Sequence, residues 1–120
     1  MTSVVRGEVW AVNLEPQTHR REPGKSERPA LVIQTDALNT AGHPTTIVIP
    51  GTSQTDSLSP EDRFPLRIRI QRTGELKYDT DLLIDQIRAI SNARFMFRYC
   101  SVGANHLKKV DDALRLITGR

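Results

Sequence analysis

Residues 94–117 read RFMFRYCSVGANHLKKVDDALRLI, and the period of the apolar residues changes inside this stretch. Residues 94–102 form an apolar and aromatic run of strand length. Past Gly103, Leu107, Val110, Leu114 and Ile117 recur at the spacing of an amphipathic helix stripe. Lys108, Lys109, Asp111, Asp112 and Arg115 fill the wet face of that helix. Gly103 fits an N-cap and Gly119 a C-terminal stop. The chain therefore ends in a last strand followed by one helix.

Upstream, every periodic segment is short and strand-like. Residues 7–14 (GEVWAVNL), 29–35 (PALVIQT) and 46–50 (TIVIP) are β-branched runs. Pro29 is expected at the first position of its strand, and Pro50-Gly51 at the end of the next. Asp36 to Leu38 fits a short helical turn. Residues 64–70 (FPLRIRI) alternate, with Leu66, Ile68 and Ile70 on one face and Arg67 and Arg69 on the other. Residues 72–76 turn around Gly74, and 82–90 (LLIDQIRAI) form a strand interrupted by Asp85 and Gln86. Residues 15–28 are a long charged loop, and 51–62 a polar one. Short strands in series with one terminal helix predict a mainly β protein with helices (α+β), a small antiparallel barrel with a C-terminal helix packed on it.

The composition agrees with one domain over 1–120. The chain has 120 residues, of which 38% are hydrophobic and 26% charged, with a mean hydropathy of −0.42. No apolar run approaches the ~20 residues of a membrane span, and the first residues lack a signal-peptide pattern. The single cysteine, Cys100, cannot form an internal disulfide. A reduced, cytoplasmic protein without membrane contact is expected. Net charge is only +3, but 13 of the 17 basic residues are arginine, whose planar fork matches phosphate.

No Gly-rich phosphate loop, nucleophile elbow or HExxH helix is present. His19, His43 and His106 are scattered without ligand spacing, so neither metal nor cofactor is expected. What remains is a group of residues at strand ends. Arg28 precedes one buried strand, Thr52 and Ser53 follow another, and Asp85 and Gln86 interrupt a third. An arginine, a hydroxyl and a carboxylate suffice for RNA cleavage in which the RNA 2′-OH is the nucleophile. Structural alternatives stand beside each role. Arg28 can pair with Glu27 or Asp36, Thr52 and Ser53 can be turn residues, and Asp85 can pair with Arg88.

Six segments in order resemble the MazF/PemK (Kid) family of toxin endoribonucleases. They are RGEVW at 6–10, RPALVIQTD at 28–36, LN at 38–39, PGTSQ at 50–54, DQIRAI at 85–90 and VDDALRL at 110–116. The resemblance implies an SH3-like β-barrel, a homodimer with RNA bound across the subunit interface, and a cognate antitoxin with an acidic extended segment. It implies sequence-specific, metal-independent cleavage of single-stranded RNA, typically mRNA, to 2′,3′-cyclic phosphate and 5′-OH ends. Arg28 and Thr52 match the family's catalytic arginine and threonine. Glu22 stands near the acidic loop residue that some members use as base. Ser53, Gln54, Asp85 and Gln86 fall on RNA-contacting positions. The loop departs from the family pattern, reading Arg20-Arg21-Glu22-Pro23, and Leu83 stands where some members have arginine. Arg67 and Arg69 match no motif; as cations on one face they either bind flanking phosphates or form a solvated edge face. The competing functions are a gyrase-inhibiting toxin on the same fold and an inactive RNA-binding module.

Overall fold

The computed structural model describes residues 3–14, 27–55 and 62–120. Seven strands form: β1 (Glu8–Asn13), β2 (Glu27–Val32), β3 (Thr45–Thr52), β4 (Arg67–Ile70), β5 (Thr80–Leu83), β6 (Arg88–Ser91) and β7 (Phe95–Ser101). Two α-helices accompany them, α1 (Asp36–Thr40) and α2 (Ala104–Thr118). All pairings are antiparallel, in the order β4-β5-β3-β2-β1-β7, with β6 also on β3. The mainly β architecture with a terminal helix thus forms as the periodicity predicts. Among the described residues, β4 and β7 end the strand path and do not pair with each other.

Alternation along the strands divides the interior into two clusters. Val9, Leu31, Ile49, Ile68, Ile70 and Leu82 point to one face, where Val110 and Ala113 of α2 pack against them. Val12, Ala30, Val32, Val48, Ile90 and Phe95 form the second cluster, with Trp10 at its margin and edge-on to Phe95. Burial of each such aliphatic side chain stabilises the fold by roughly 1.5–3 kcal/mol. Helix α2 stops at Gly119, whose left-handed φ of 78° suits glycine.

Three boundaries differ from the sequence expectation, each for a reason of pairing. β2 begins at Glu27, so Pro29 lies inside it. Pro29 pairs with Ala11 on β1, while the ladder to β3 begins one residue later at Ala30. β3 does not stop at Pro50-Gly51 but runs to Thr52, because β5 takes over as its partner through Gly51↔Leu82 and Thr52↔Asp81. A side chain at position 51 would meet Thr80 Cγ2 at 2.6 Å, so glycine lets the strands approach there. Finally, β4 starts only at Arg67. Leu66 sits in the preceding turn and is exposed, not in the core.

The expected 82–90 strand is two strands. β5 leaves β3 after pairing at its C-terminal end, a 3₁₀ turn at Ile84–Gln86 follows, and β6 rejoins β3 at Thr45–Val48. Buried Ile84 anchors that turn, while Asp85 and Gln86 face solvent. The polar interruption read in the sequence is therefore the place where the chain crosses from one half of β3 to the other.

Candidate nucleic-acid interface

Arg28 stands near the start of β2, and Thr52 at the end of β3. The β2–β3 ladder ends at Ala30↔Pro50, two residues short of each, and the Arg28 side chain spans the gap to the end of β3. The Arg28 guanidinium donates from Nε and Nη2 to the Gly51 carbonyl oxygen at 3.4 and 3.2 Å. No described carboxylate pairs with it. A carbonyl orients a guanidinium without cancelling its charge, so the remaining N–H donors can serve an anion. Neither Glu27 nor Asp36 takes up Arg28. Glu27 accepts from the Tyr99 hydroxyl at 2.6 Å, and Asp36 accepts from the backbone N–H of Arg6 and from Asn39.

The Thr52 hydroxyl oxygen accepts from the backbone N–H of Gln54 at 3.1 Å. This is a local turn that closes the strand. It uses an oxygen lone pair and leaves the hydroxyl proton available to donate. Ser53 and Gln54 are exposed just beyond. Asp85 and Gln86 emerge on the opposite side of β3, since β3 separates β2 from the β5–β6 crossing. The fold thus brings Arg28 and Thr52 together directly, with Asp85 and Gln86 one strand away. Glu22 lies outside the described residues.

Arg67 and Arg69 do not project freely into solvent. Both pair with Asp81, at 3.3 Å from Arg67 Nη1 and 2.8 Å from Arg69 Nε. Asp81 is only 2% exposed and was not singled out by sequence reasoning. In the run TDLL it looks like a lone polar break in a strand. The signal lay in FPLRIRI, where two arginines on one face require a counter-charge if that face is covered.

Much of the remaining motif content is structural. Arg6 makes a bidentate pair with Asp111 of α2 at 2.9 Å and donates to the Ile33 carbonyl. Gly7 holds a left-handed φ of 96°, and Glu8 accepts from Trp10 Nε1 and Arg98. Gln34 and Asn39 bond each other and the ends of β2 and β3. The Tyr99 phenol is pushed above its ordinary value by burial, then by its bond to Glu27. Burial likewise raises the Cys100 thiol, against the opposing pull of Arg98, consistent with a packing residue. Among the described residues, no cluster of three His, Cys, Asp or Glu side chains could hold a metal ion. No helix among them is long and apolar enough to cross a membrane.

The antiparallel sheet, its terminal helix and an arginine and a hydroxyl at neighbouring strand ends define a small, mainly β protein with a candidate site at one sheet edge. Residues 5–118 match the family described as PemK-like, MazF-like toxin of type II toxin-antitoxin system. Endoribonuclease EndoA of Bacillus subtilis is 32% identical over 115 residues, covering 94% of this chain and 92% of that protein. A MazE–MazF structure from Deinococcus radiodurans superposes with a TM-score of 0.76 at 21% identity, covering 99% of this chain and 98% of its own. A mycobacterial endoribonuclease solved with its cognate antitoxin has a TM-score of 0.70 at 17% identity, covering 99% and 96%. The chain belongs to the PemK/MazF-like toxin family.

Proposed function

We propose that this protein is an RNA-cleaving toxin whose chemistry is carried by Arg28 and Thr52. The observation that supports it most is the Arg28 guanidinium, oriented by the carbonyl of Gly51, the residue before Thr52, and paired with no described carboxylate. A scissile phosphate seated there meets a cation from β2 and a hydroxyl donor from β3. The RNA 2′-OH attacks the phosphorus and the 5′-oxygen leaves, giving a 2′,3′-cyclic phosphate and a 5′-OH end. As the phosphorane forms, negative charge grows on its equatorial oxygens, and Arg28 and Thr52 donate to them there. Glu22 is the candidate base for the 2′-proton. Ser53, Gln54, Asp85 and Gln86 flank this point and read the neighbouring nucleotides by hydrogen bonds. Cleavage is metal-independent in this reading, because the nucleophile belongs to the substrate. The protein acts as a homodimer, and a cognate antitoxin neutralises it by covering the same cationic edge.

The test is incubation with a long single-stranded RNA in EDTA, followed by mapping of both new ends. Cyclic phosphate and 5′-OH ends, lost in Arg28→Ala, are expected. An uncut RNA, or undiminished cutting by Arg28→Ala, overturns the reading.

A further inference from the structure

Glu27 and Arg28 are neighbours in the chain, and the sequence alone allows them to pair. In the structure they do not. Among the described residues, the Arg28 side chain bonds only the Gly51 carbonyl. The Glu27 carboxylate instead accepts, through Oε2, from the Tyr99 hydroxyl at 2.6 Å. Glu27 is on β2 and Tyr99 on β7, with β1 between them, so the tyrosine reaches over a whole strand to make this bond. Two strand spacings are roughly 10 Å.

Tyr99 owes its aim to a break in the β1–β7 ladder. Val9 pairs with Cys100 and Trp10 with Arg98, so Tyr99 between them has no partner on β1. It is the extra residue of a β-bulge, a device that re-aims a side chain. Its carbonyl accepts from the backbone N–H of Glu75 at 3.0 Å. Gly74, at a left-handed φ of 57°, lets that turn come close, since a side chain there would meet the Tyr99 carbonyl oxygen at 2.9 Å. The Tyr99 ring lies edge-on to Phe97, with centroids 5.1 Å apart. Burial, then the bond to Glu27, pushes the phenol above its ordinary value, so the hydroxyl remains a donor at neutral pH.

Consecutive residues within a strand point to opposite faces, which by itself keeps their side chains apart. Glu27 is the first residue of β2, however, and no residue of that strand precedes it. A glutamate released there can turn round the strand end and set its charge beside the guanidinium, in competition with a phosphate. We propose that Tyr99 is a positioning residue: its hydroxyl holds the Glu27 carboxylate on the side of β2 that faces β1 and β7, and so keeps the Arg28 charge for the scissile phosphate. This rests on the assignment of Arg28 to the cleavage point. The bulge, the Gly74 turn and the Phe97 contact are then supports of a clamp on the neighbour of that arginine. Tyr99 acts through Glu27 and takes no part in breaking the bond.

The experiment measures kcat/KM for cleavage of one single-stranded RNA at low and at high salt. It compares wild type, Tyr99→Phe, Glu27→Gln, the double variant Tyr99→Phe/Glu27→Gln, and Arg28→Ala, with a urea melt of each. Tyr99→Phe keeps the ring and its packing and removes only the hydroxyl. At low salt it is expected to cleave about threefold to fivefold less efficiently, the strength of an exposed ion pair. The deficit should shrink at high salt, where such a pair is screened. In the double variant efficiency should return to the wild-type value, because the released side chain carries no charge. Glu27→Gln alone should stay near wild type. A Tyr99→Phe protein as efficient as wild type at low salt overturns the proposal. So does a deficit that Glu27→Gln leaves in place, the mark of a tyrosine that serves the fold alone. Loss of cleavage in Glu27→Gln also overturns it, since the carboxylate would then be required and not merely held aside. Active Arg28→Ala would instead break the underlying site assignment, whatever Tyr99→Phe shows.

Discussion

Arg6 and Arg28 stand at opposite ends of β2, and their partners differ in kind. Arg6 spends its guanidinium on the Asp111 carboxylate and the Ile33 carbonyl, tying the N-terminal segment to α2 and the end of β2. Around it Asp36, Gln34 and Asn39 are bonded to one another and to the Arg6 backbone. Among the described residues Arg28 is held by a carbonyl alone, which orients its charge without cancelling it. The residue type is the same and both are partly buried; what differs is whether a described carboxylate faces the guanidinium. Arg67 and Arg69 are a third case, both held on the buried carboxylate of Asp81.

Substitutions should separate the two ends, and the largest effect belongs to Arg28. Arg28→Ala is expected to lower the rate of end-mapped RNA cleavage by ~10²–10³-fold, the usual cost of removing a preorganised donor to developing charge. Its melting temperature should fall only slightly, because the one group that loses its donor is the Gly51 carbonyl, held by two long hydrogen bonds. Thr52→Val removes one donor to a charged oxygen, about 1.5–3 kcal/mol, and should slow single-turnover cleavage by roughly 10–100-fold. Thr52→Ser should keep most of the rate.

The reverse pattern is expected at the other end. Arg6→Ala should destabilise the fold by about 1–3 kcal/mol in urea unfolding, since Asp111 and the Ile33 carbonyl lose their donor together. Cleavage per folded molecule should be unchanged. If Arg6→Ala abolished cleavage in a fully folded protein, the division between the two ends would fall.

The smallest effect is on acid stability. The backbone N–H of Arg6, then the Asn39 side chain, hold the Asp36 carboxyl below its ordinary value of 3.8. A carboxylate with a lowered folded value contributes stability above its unfolded value, and that contribution is lost as pH falls through the folded one. Asp36→Asn should therefore flatten the dependence of melting temperature on pH below about 4. Near neutral pH the two proteins should differ by a nearly constant offset.

Periodicity was enough for the strands, for the terminal helix and for both glycines that bracket it, because period and end signals are local properties. It was not enough where two strands compete for one partner. Thr52 reads as a turn residue after Pro50-Gly51, and only the handover of β3 from β2 and β6 to β5 makes it the last strand residue. Leu66 reads as a core residue by alternation, but the turn ahead of β4 leaves it outside. The candidate site was legible in its residue types. Arg28, Thr52, Asp85 and Gln86 all stand at strand ends, where side chains are free to meet a ligand.

By itself the sequence determined most of the secondary elements, the family and which arginine and hydroxyl are the candidates for the site. Only tertiary structure decided which arginine keeps its charge. Arg6, Arg28, Arg67 and Arg69 are chemically alike, and nothing near them in the chain distinguishes their fates. Asp111 lies 105 residues from Arg6, Asp81 lies 12 from Arg69, and Gly51 lies 23 from Arg28. Charge cancellation depends on distance in space, and strand register sets that distance. The modest net charge of +3 therefore matters less than its sorting, which strand register decides.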